Sequence, residues 1–396
     1  MPDVSQEIIL QIENRVLAFI KTFPPGTRFA AAVSGGADSM AMLACLCAIK
    51  SLKADEESAV TCNLGGAALC LSCIHVEHGI RAAKESRGDA EHVLSFCEEN
   101  GIDCHVKHIL PGKIENFARR KGAGIEAAAR FFRHRAFSRY AARLGENSVI
   151  LLAHTKDDLL ETALMRLLRG AGCGGLAAMP AVSKKNGYVI ARPLLQLSRA
   201  EIENYLKAKS IAWREDSTNA DEKFLRNRIR GRLVPLLNES FPSWKAGISS
   251  MAQTQSLAAD FIAQEAENRI KWEIFGKVSH RDTEYAKDTE FNASVRKNSE
   301  VLLFTDETLF FEQPLIIREE AVFIAINLLA SAFSNKKSGA SLPDKSIKRK
   351  VIREFCEGAI NAADLGAYII TREKGRIIVL KAKGNYFERG ISRLIK

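Results

Sequence analysis

The sequence shows no sign of a disulfide framework, a secretory signal or a membrane span, and each narrows what is expected. Nine cysteines at irregular spacing in 396 residues do not fit the paired pattern of a small oxidised scaffold. The opening MPDVSQEIIL has no basic stretch ahead of an apolar run, so a secretory signal is not expected. Residues 29–49 come nearest to a membrane helix, with Asp38 as their one charge. Ser34, Gly35, Gly36, Asp38 and Ser39 near the middle would break that helix and leave a carboxylate in lipid. There is no low-complexity tract and no internal repeat. A reduced, cytoplasmic protein is the expectation.

What is present is a chain long enough for two or three domains. Hydrophobic residues make up 46%, ordinary for a folded protein, and 57 Lys and Arg against 47 Asp and Glu leave a net charge of +10. Such a balance favours a polyanionic partner without choosing among RNA, DNA and an acidic membrane surface. The first half alternates short apolar runs with helical segments. Strands are expected at 28–33, 68–77, 104–109 and 148–153, and helices at 38–50, 84–100, within 114–144, and at 157–169. That alternation implies parallel βαβ units with helices on both sheet faces and a ligand crevice at the strands' carboxyl ends. Residues 52–66 read as an exposed loop, 201–209 as a helix, 211–215 as a short extended piece, and 224–269 as mostly helical. From about 270 the pattern becomes α+β. Hairpins are expected at 301–304 with 308–311, turning on Asp306-Glu307, and at 368–371 with 376–380, turning on Glu373-Lys374-Gly375. Helices at 319–333 and 345–357 lie between them.

The sharpest local feature is Ser34-Gly35-Gly36-Ala37-Asp38-Ser39, between an apolar strand and a helix. Glycines let a backbone approach an anion, and the helix start adds free N–H groups and a positive dipole end. No Gly-Lys-Ser/Thr follows, so this is not a Walker A loop. The bland alternative is a strand–helix turn made of small residues. His154-Thr-Lys-Asp-Asp-Leu-Leu-Glu161 also begins where a strand ends and a helix starts. Asp158 and Glu161 are three apart and share a helix face at the expected crevice. Such a pair can orient a substrate ammonium or take its proton, whereas Asp157 reads as an N-terminal helix cap. Glu126, Arg130 and Arg133 fall at i, i+4 and i+7, giving one face two guanidinium groups for polyphosphate or an RNA backbone, or simply a solvated basic stripe. Residues 223–232 hold five basic side chains, either a solvated helix face or a phosphate-tracking surface. Gly170, Gly172, Gly174 and Gly175 make a flexible loop, a linker or a lid.

His75 and His78 are three apart on a strand and point to opposite faces, which argues against a shared metal ion. Cys70-x-x-Cys73 lies in the same strand with no second Cys-x-x-Cys to complete a four-thiolate site, so core packing is the default.

Ser-Gly-Gly-x-Asp-Ser at this position resembles the PP-loop of ATP pyrophosphatases, which split ATP between its α- and β-phosphates. Further segments, in order, resemble the tRNA(Ile)-lysidine synthetase family. These are His75 to Arg81, Glu126 to Arg133, His154 to Glu161, Leu168 to Met179, Arg192-Pro193-Leu194-Leu195, Asp216-Ser217-Thr218-Asn219, and Arg226-Asn227-Arg228-Ile229-Arg230. The resemblance covers about 28–236 and is weak beyond. Glu77 stands where that family more often has Asp or Asn, and His134 follows Arg133 where it usually has Tyr.

The resemblance implies an α/β fold: a parallel-sheet, Rossmann-type PP-loop domain related to adenine nucleotide α-hydrolases (1–218), a helical linker (219–270) and a smaller α+β tRNA-binding domain (271–396). It implies ATP on Ser34, Gly35, Gly36, Ala37, Asp38, Ser39 and His154, with Mg²⁺ on Asp38. Asp158, Asp38, Arg130 and Arg133 are then catalytic, Asp158 and Glu161 bind L-lysine, and Arg226, Arg228 and Arg230 bind tRNA. The implied reaction joins L-lysine to C2 of the wobble cytidine of a tRNA(Ile) with a CAU anticodon. An adenylated tRNA is the intermediate, and ATP becomes AMP and pyrophosphate. No membrane partner is expected, and a homodimer is left open. The alternatives are a PP-loop tRNA cytidine thiolase, which the missing second Cys pair disfavours, and an inactive RNA-binding protein, which the complete motifs disfavour.

Overall fold

Strand β1 (Arg28–Ala32) ends in three alanines, and their small size sets the architecture around it. In the computed structural model, which describes residues 4–51, 69–79, 83–185, 187–214, 225–276, 301–334, 349–365 and 367–381, β1 lies inside a six-stranded sheet of order β3-β2-β1-β4-β6-β5. Its neighbours β2 (Cys70–Glu77) and β4 (Ser148–Leu152) both run parallel to it. β3 (Asp103–His108) and β6 (Tyr188–Ala191) extend the parallel array, and β5 (Val182–Lys185) closes one edge antiparallel. The chain runs outward from β1 through β2 to β3, then returns to β4 on its other side. The topological switch point therefore falls between β1 and β4, where α/β sheets place their ligands. The parallel βαβ reading holds; the antiparallel β5–β6 pair had no counterpart in the sequence reading.

Alternation along β1 assigns its two faces. Phe29 and Ala31 join a core with α1 (Val4–Ile20), α2 (Ala37–Ser51) and α8 (Arg199–Ala208), while Ala30 joins Phe137, Tyr140 and Ala141 of α5 (Ile125–Leu144) behind the sheet. Small β1 side chains admit α2 closely, and Met40, Met42, Leu43 and Leu46 are fully buried there. Each such side chain contributes about 1.5–3 kcal/mol on burial. The helix is thus apolar all round because it is packed on every side, not because it meets lipid. Among the described residues no helix is long and apolar enough to cross a membrane. Helices α3 (Ala83–Glu99), α4 (Lys113–Lys121), α6 (Lys156–Leu167) and the single turn α7 (Cys173–Leu176) complete the layers.

The chain divides into two compact units, 1–256 and 257–396, with the division inside α11 (Trp244–Arg269). The segment expected as a linker is therefore shared. Its first part is α9 (Leu225–Arg228), a π-helical turn (Ile229–Leu233) and α10 (Val234–Ser240). The second unit has an antiparallel sheet of order β7-β8-β11-β10-β9, formed by β7 (Glu273–Gly276), β8 (Val301–Asp306), β9 (Ala362–Asp364), β10 (Tyr368–Glu373) and β11 (Arg376–Lys381). Helices α13 (Leu315–Ser334) and α14 (Arg349–Cys356) cover one face through Ala321, Ala325, Leu329, Ile352 and Phe355.

One expected hairpin forms and one does not. β10 and β11 pair across Lys374 and Gly375, both at positive φ (50° and 73°), the backbone of a tight two-residue hairpin turn. After β8 the chain enters α12 (Glu307–Glu312) instead of a strand, because Asp306 acts as its N-cap and accepts from Leu309 N at 2.8 Å. β8 then pairs with β7 and β11. The expected loop 52–66, Ile80 and Arg81, Asp216 to Asn219, Lys223, and the start of the helix expected at 345 lie outside the described residues.

Candidate active site

The segment joining β1 to α2 is tied by one side chain. Ser39 Oγ accepts from Ser34 N at 3.1 Å, lies 3.2 Å from Ser34 Oγ and donates to Gly36 O at 2.9 Å. Gly35 has φ +92°, and a Cβ there would also meet Asp89 O at 3.6 Å, so this turn needs glycine. At Gly36 a Cβ would meet nothing closer than 3.7 Å; glycine here leaves the space above the loop open to a phosphate. The loop is braced twice from outside. His75, 4% exposed, contacts Val33 O through Nδ1 at 2.8 Å, and Arg214 N donates to Gly35 O at 3.0 Å while its Nε pairs with Asp89 at 2.5 Å. His75 thus supports the loop from the neighbouring strand.

Asp38, in the first turn of α2, accepts from Arg199 Nη1 at 2.7 Å through Oδ2. Its Oδ1 is buried with no hydrogen-bond partner among the described residues. Burial, outweighing the Arg199 charge, pushes the carboxyl up to about 6. An orphaned carboxylate oxygen facing a loop shaped for phosphate fits a Mg²⁺ ion that takes its other ligands from phosphates and water. Arg199 was not singled out in the sequence. A clue was available: an arginine in the first turn of α8, after the Ser198–Glu201 capping box, opposes the helix dipole.

Across the switch point, Thr155 and Asp158 form the capping box that starts α6. Thr155 N donates to Asp158 Oδ2 at 2.9 Å, and Asp158 N donates to Thr155 Oγ1 at 3.3 Å. Asp157, expected as the cap, instead accepts from Arg199 N at 2.7 Å and anchors α8. Asp158 Oδ1 remains for the site, one turn from Glu161, which is 4% exposed. Both carboxylates are bound by guanidinium groups. Arg226 donates to Asp158 Oδ1 and to Glu161 Oε2, each at 2.7 Å. Arg230 donates to Glu161 Oε1 at 2.7 Å and to Oε2 at 3.1 Å. Arg226 ends up on α9 and Arg230 in the π-helical turn, an element that recurs at functional sites. Of the three arginines expected to face tRNA, Arg228 is exposed and, among the described residues, makes no ion pair with these carboxylates.

A third group is basic. Arg130 and Arg133 on α5, Arg166 near the end of α6, Arg192 just after β6, and His154 at the end of β4 act on one another electrostatically. Burial first, then the Arg192 charge, drives His154 down to about 3, so its imidazole is neutral. His134 is buried and lies 2.6 Å from Tyr188 Oη through Nδ1. It packs edge-on against Phe137, so it supports α5 on the sheet. Glu77 pairs with His108 of β3.

Cys70 is exposed and Cys73 buried, so they do not act together; the eight described cysteines are all free. Cys73, Cys97 and Cys104 bring three sulfurs within 4.8 Å of one another.

Residues 9–237, more than half of the chain, match a family model described as a PP-loop domain. Curated relatives include proteins described as tRNA(Ile)-lysidine synthase. That of Treponema denticola is 39% identical over 246 residues, 62% of this chain and 49% of that one. That of Pseudomonas aeruginosa is 37% identical over 255 residues, 64% and 52% respectively. The chain spans about half the length of these relatives. Among solved structures, the U34-tRNA thiolase NcsA of Methanococcus maripaludis aligns over 63% of this chain and 80% of its own, with TM-score 0.50 and 16% identity, a likeness of fold.

Proposed function

The chain belongs to the PP-loop family, and from that premise we propose that it ligates L-lysine to C2 of the wobble cytidine in a tRNA(Ile) bearing a CAU anticodon. The observation that carries this reading is the pair Asp158–Glu161, poised at the end of β4 beside the phosphate loop at the end of β1. ATP chemistry alone needs no such pair; a cationic amine substrate does. The curated relatives described as tRNA(Ile)-lysidine synthase support the same assignment.

The C2 oxygen of cytidine is a poor leaving group. Its attack on the α-phosphorus of ATP, lying on Ser34 to Ser39, forms the adenylated base and releases pyrophosphate. Asp38 would hold a Mg²⁺ ion, which would supply charge to neutralise the phosphates. The ε-amine of lysine then attacks C2 and AMP departs with the oxygen. With an ordinary pKa of about 10.4, that amine arrives as ammonium and must lose a proton. Glu161 holds it and Asp158 takes the proton. In the ligand-free chain those oxygens are held by Arg226 and Arg230, so lysine enters by displacing guanidinium groups from them. The target base leaves its stack to reach the crevice. The first unit supplies this chemistry. The second unit is the part assigned to holding tRNA. Free cysteines throughout the described chain fit a cytoplasmic setting.

Mass spectrometry of the tRNA after incubation with ATP and isotope-labelled lysine tests the assignment. The expected product carries one labelled lysyl group on the wobble cytidine. Sulfur incorporation, or no mass gain with ATP consumed, overturns it.

A further inference from the structure

Strands β2 and β3 and helix α3 each send one thiol to the same point. Cys73 and Cys104 are register partners on the two parallel strands. Their side chains therefore leave the sheet on one face, one strand spacing of about 4.8 Å apart at the backbone. Helix α3 packs on that face, and Cys97 comes down onto it. The position of Cys97 is set locally. Gly101 takes φ +61°, Gly101 N donates to Glu98 O at 3.1 Å, and Ile102 N donates to Cys97 O at 2.8 Å, the Schellman arrangement that stops a helix. The chain enters β3 at Asp103, which returns Cys104 to the neighbourhood of Cys97. All three sulfurs lie within 4.8 Å of one another.

Core packing asks only that a buried thiol have apolar neighbours. It accounts for Cys45, Cys47 and Cys356, which are buried and join no group of ligand atoms among the described residues. Convergence of three thiols from three separate elements is a different arrangement, and its dimensions are those of a metal site. Metal–sulfur bonds of about 2.3 Å put thiolate sulfurs about 3.8 Å apart around a tetrahedral ion and about 4.0 Å apart around a planar three-coordinate one. No pair in this group has more than about 1 Å to close. Cys73 and Cys97 are buried, whereas Cys104 is half-buried on the outer strand of the sheet. The group is therefore closed at its base and open to solvent at one corner, which gives an ion a way in.

We propose that Cys73, Cys97 and Cys104 form a binding site for one thiophilic metal ion, held by three thiolates. The ions whose chemistry fits are monovalent copper, taken by the three sulfurs alone, and zinc, which would add a water on the Cys104 side. On binding, the three thiols give their protons to solvent and three metal–sulfur bonds form. The site does not depend on the reaction proposed above. Along α3, Cys97 is about 12 Å from Asp89 at 1.5 Å per residue, and Asp89 is the residue beside Gly35. The ion's role is that of a staple. β2 also carries His75, which braces Val33 O, and α3 carries Asp89, which pairs with Arg214. An ion joining β2, β3 and α3 thus fixes the two elements that support the loop Ser34 to Ser39.

The test uses the full chain, reduced and stripped of metal, with Zn²⁺ or Cu⁺ added alone. Alkylation by iodoacetamide, mapped by mass spectrometry, reads the site directly. The ion is expected to protect Cys104, while exposed Cys70 in the same preparation keeps reacting. Protection by Cu⁺ alone identifies the three-coordinate form, and protection by Zn²⁺ the form completed by water. Competition with a chromophoric chelator should give one ion per chain. Cys104→Ser should weaken that affinity by at least about 100-fold, the upper end of what losing a mere supporting neighbour costs. Cys70→Ser is the control and should bind the ion as the wild type does. Unchanged affinity of both variants for a non-hydrolysable ATP analogue shows that they are folded. Bound ion should raise the Tm of the wild type and leave that of Cys104→Ser where it was. Equal alkylation of Cys104 with and without either ion, or equal ion affinity in Cys104→Ser and wild type, overturns the site. Iron and acid-labile sulfide on the chain as isolated, lost in Cys104→Ser, would replace the single ion by a cluster and overturn it too.

Discussion

Replacing Asp158 with asparagine separates the two halves of the proposed reaction, and the structure sets the size of each effect. One carboxylate oxygen caps α6 through Thr155 N and the other pairs with Arg226 at 2.7 Å. Asparagine keeps an oxygen for the cap, so the roughly 0.5–2 kcal/mol of a capping interaction is largely retained. The charged hydrogen bond is lost. Such bonds contribute about 1.5–3 kcal/mol, and with 16% exposure of Asp158 and 34% of Arg226 the lower part of that range applies. A loss of about 1–2 kcal/mol in a unit of this size lowers Tm by roughly 2–8 °C, leaving a folded protein at assay temperature. Loss of the base should slow lysine transfer by about two to four orders of magnitude. Adenylation, proposed for the Ser34–Ser39 loop, should change far less. In single-turnover assays with radiolabelled ATP, adenylated tRNA should accumulate and pyrophosphate should appear without lysidine. Raising the pH restores part of the transfer, since the neutral fraction of free lysine grows about tenfold per unit below 10.4. If Asp158→Asn abolished adenylation and transferred lysine normally to a preformed adenylated tRNA, the carboxylate would belong to the ATP site and the reasoning would fail.

Asp38 gives a pH prediction. Its folded-state pKa, near 6, lies above the unfolded value of 3.8. Its contribution to ligand-free stability is therefore present below 3.8 and lost as the pH rises through about 6. Magnesium-dependent nucleotide binding needs the anion and should fall as the pH drops below about 6; Asp38→Asn should remove that step, and an unchanged titration of ATP affinity would refute it. Glu161→Gln leaves Arg226 and Arg230 without a full counter-charge and should cost about 1–3 kcal/mol, read by denaturant unfolding, together with loss of lysine saturation; a silent substitution would exclude Glu161 from the site. Arg228→Glu should weaken tRNA binding and lower its salt slope by about one contact at unchanged Tm, whereas Arg226→Glu should also destabilise the fold by opposing Asp158 and Glu161. Equal effects of the two on Tm would contradict the pairing. His75→Ala removes the buried contact with Val33 O and should weaken ATP affinity more than tRNA affinity in equilibrium binding.

How much was legible in the sequence followed chain separation. The Ser34–Ser39 turn and the Lys374-Gly375 turn each close within a few residues, so their chemistry is written in adjacent letters; the Thr155–Asp158 box is as local, but the cap had been expected at Asp157. Alternation of apolar runs with helical segments likewise predicted the parallel sheet, and with it the crevice that Asp158 and Asp38 share. Local reading failed where two local preferences competed. Thr308 to Phe311 suits a strand as well as a helix, and the cap from Asp306 decided for the helix.

The pairing of charges was not local at all. Arg226 reaches Asp158 and Glu161 from 68 and 65 residues away, and Arg199 reaches Asp38 from 161. In sequence Arg226 and Arg230 belong to a basic run with every mark of an RNA-facing surface. Only packing of α9 and the π-helical turn against α6 directs two of those arginines inward and leaves Arg228 outside. The residue types were evident from the sequence, but charge is compensated in space, and which guanidinium groups find a carboxylate depends on where the backbone carries them.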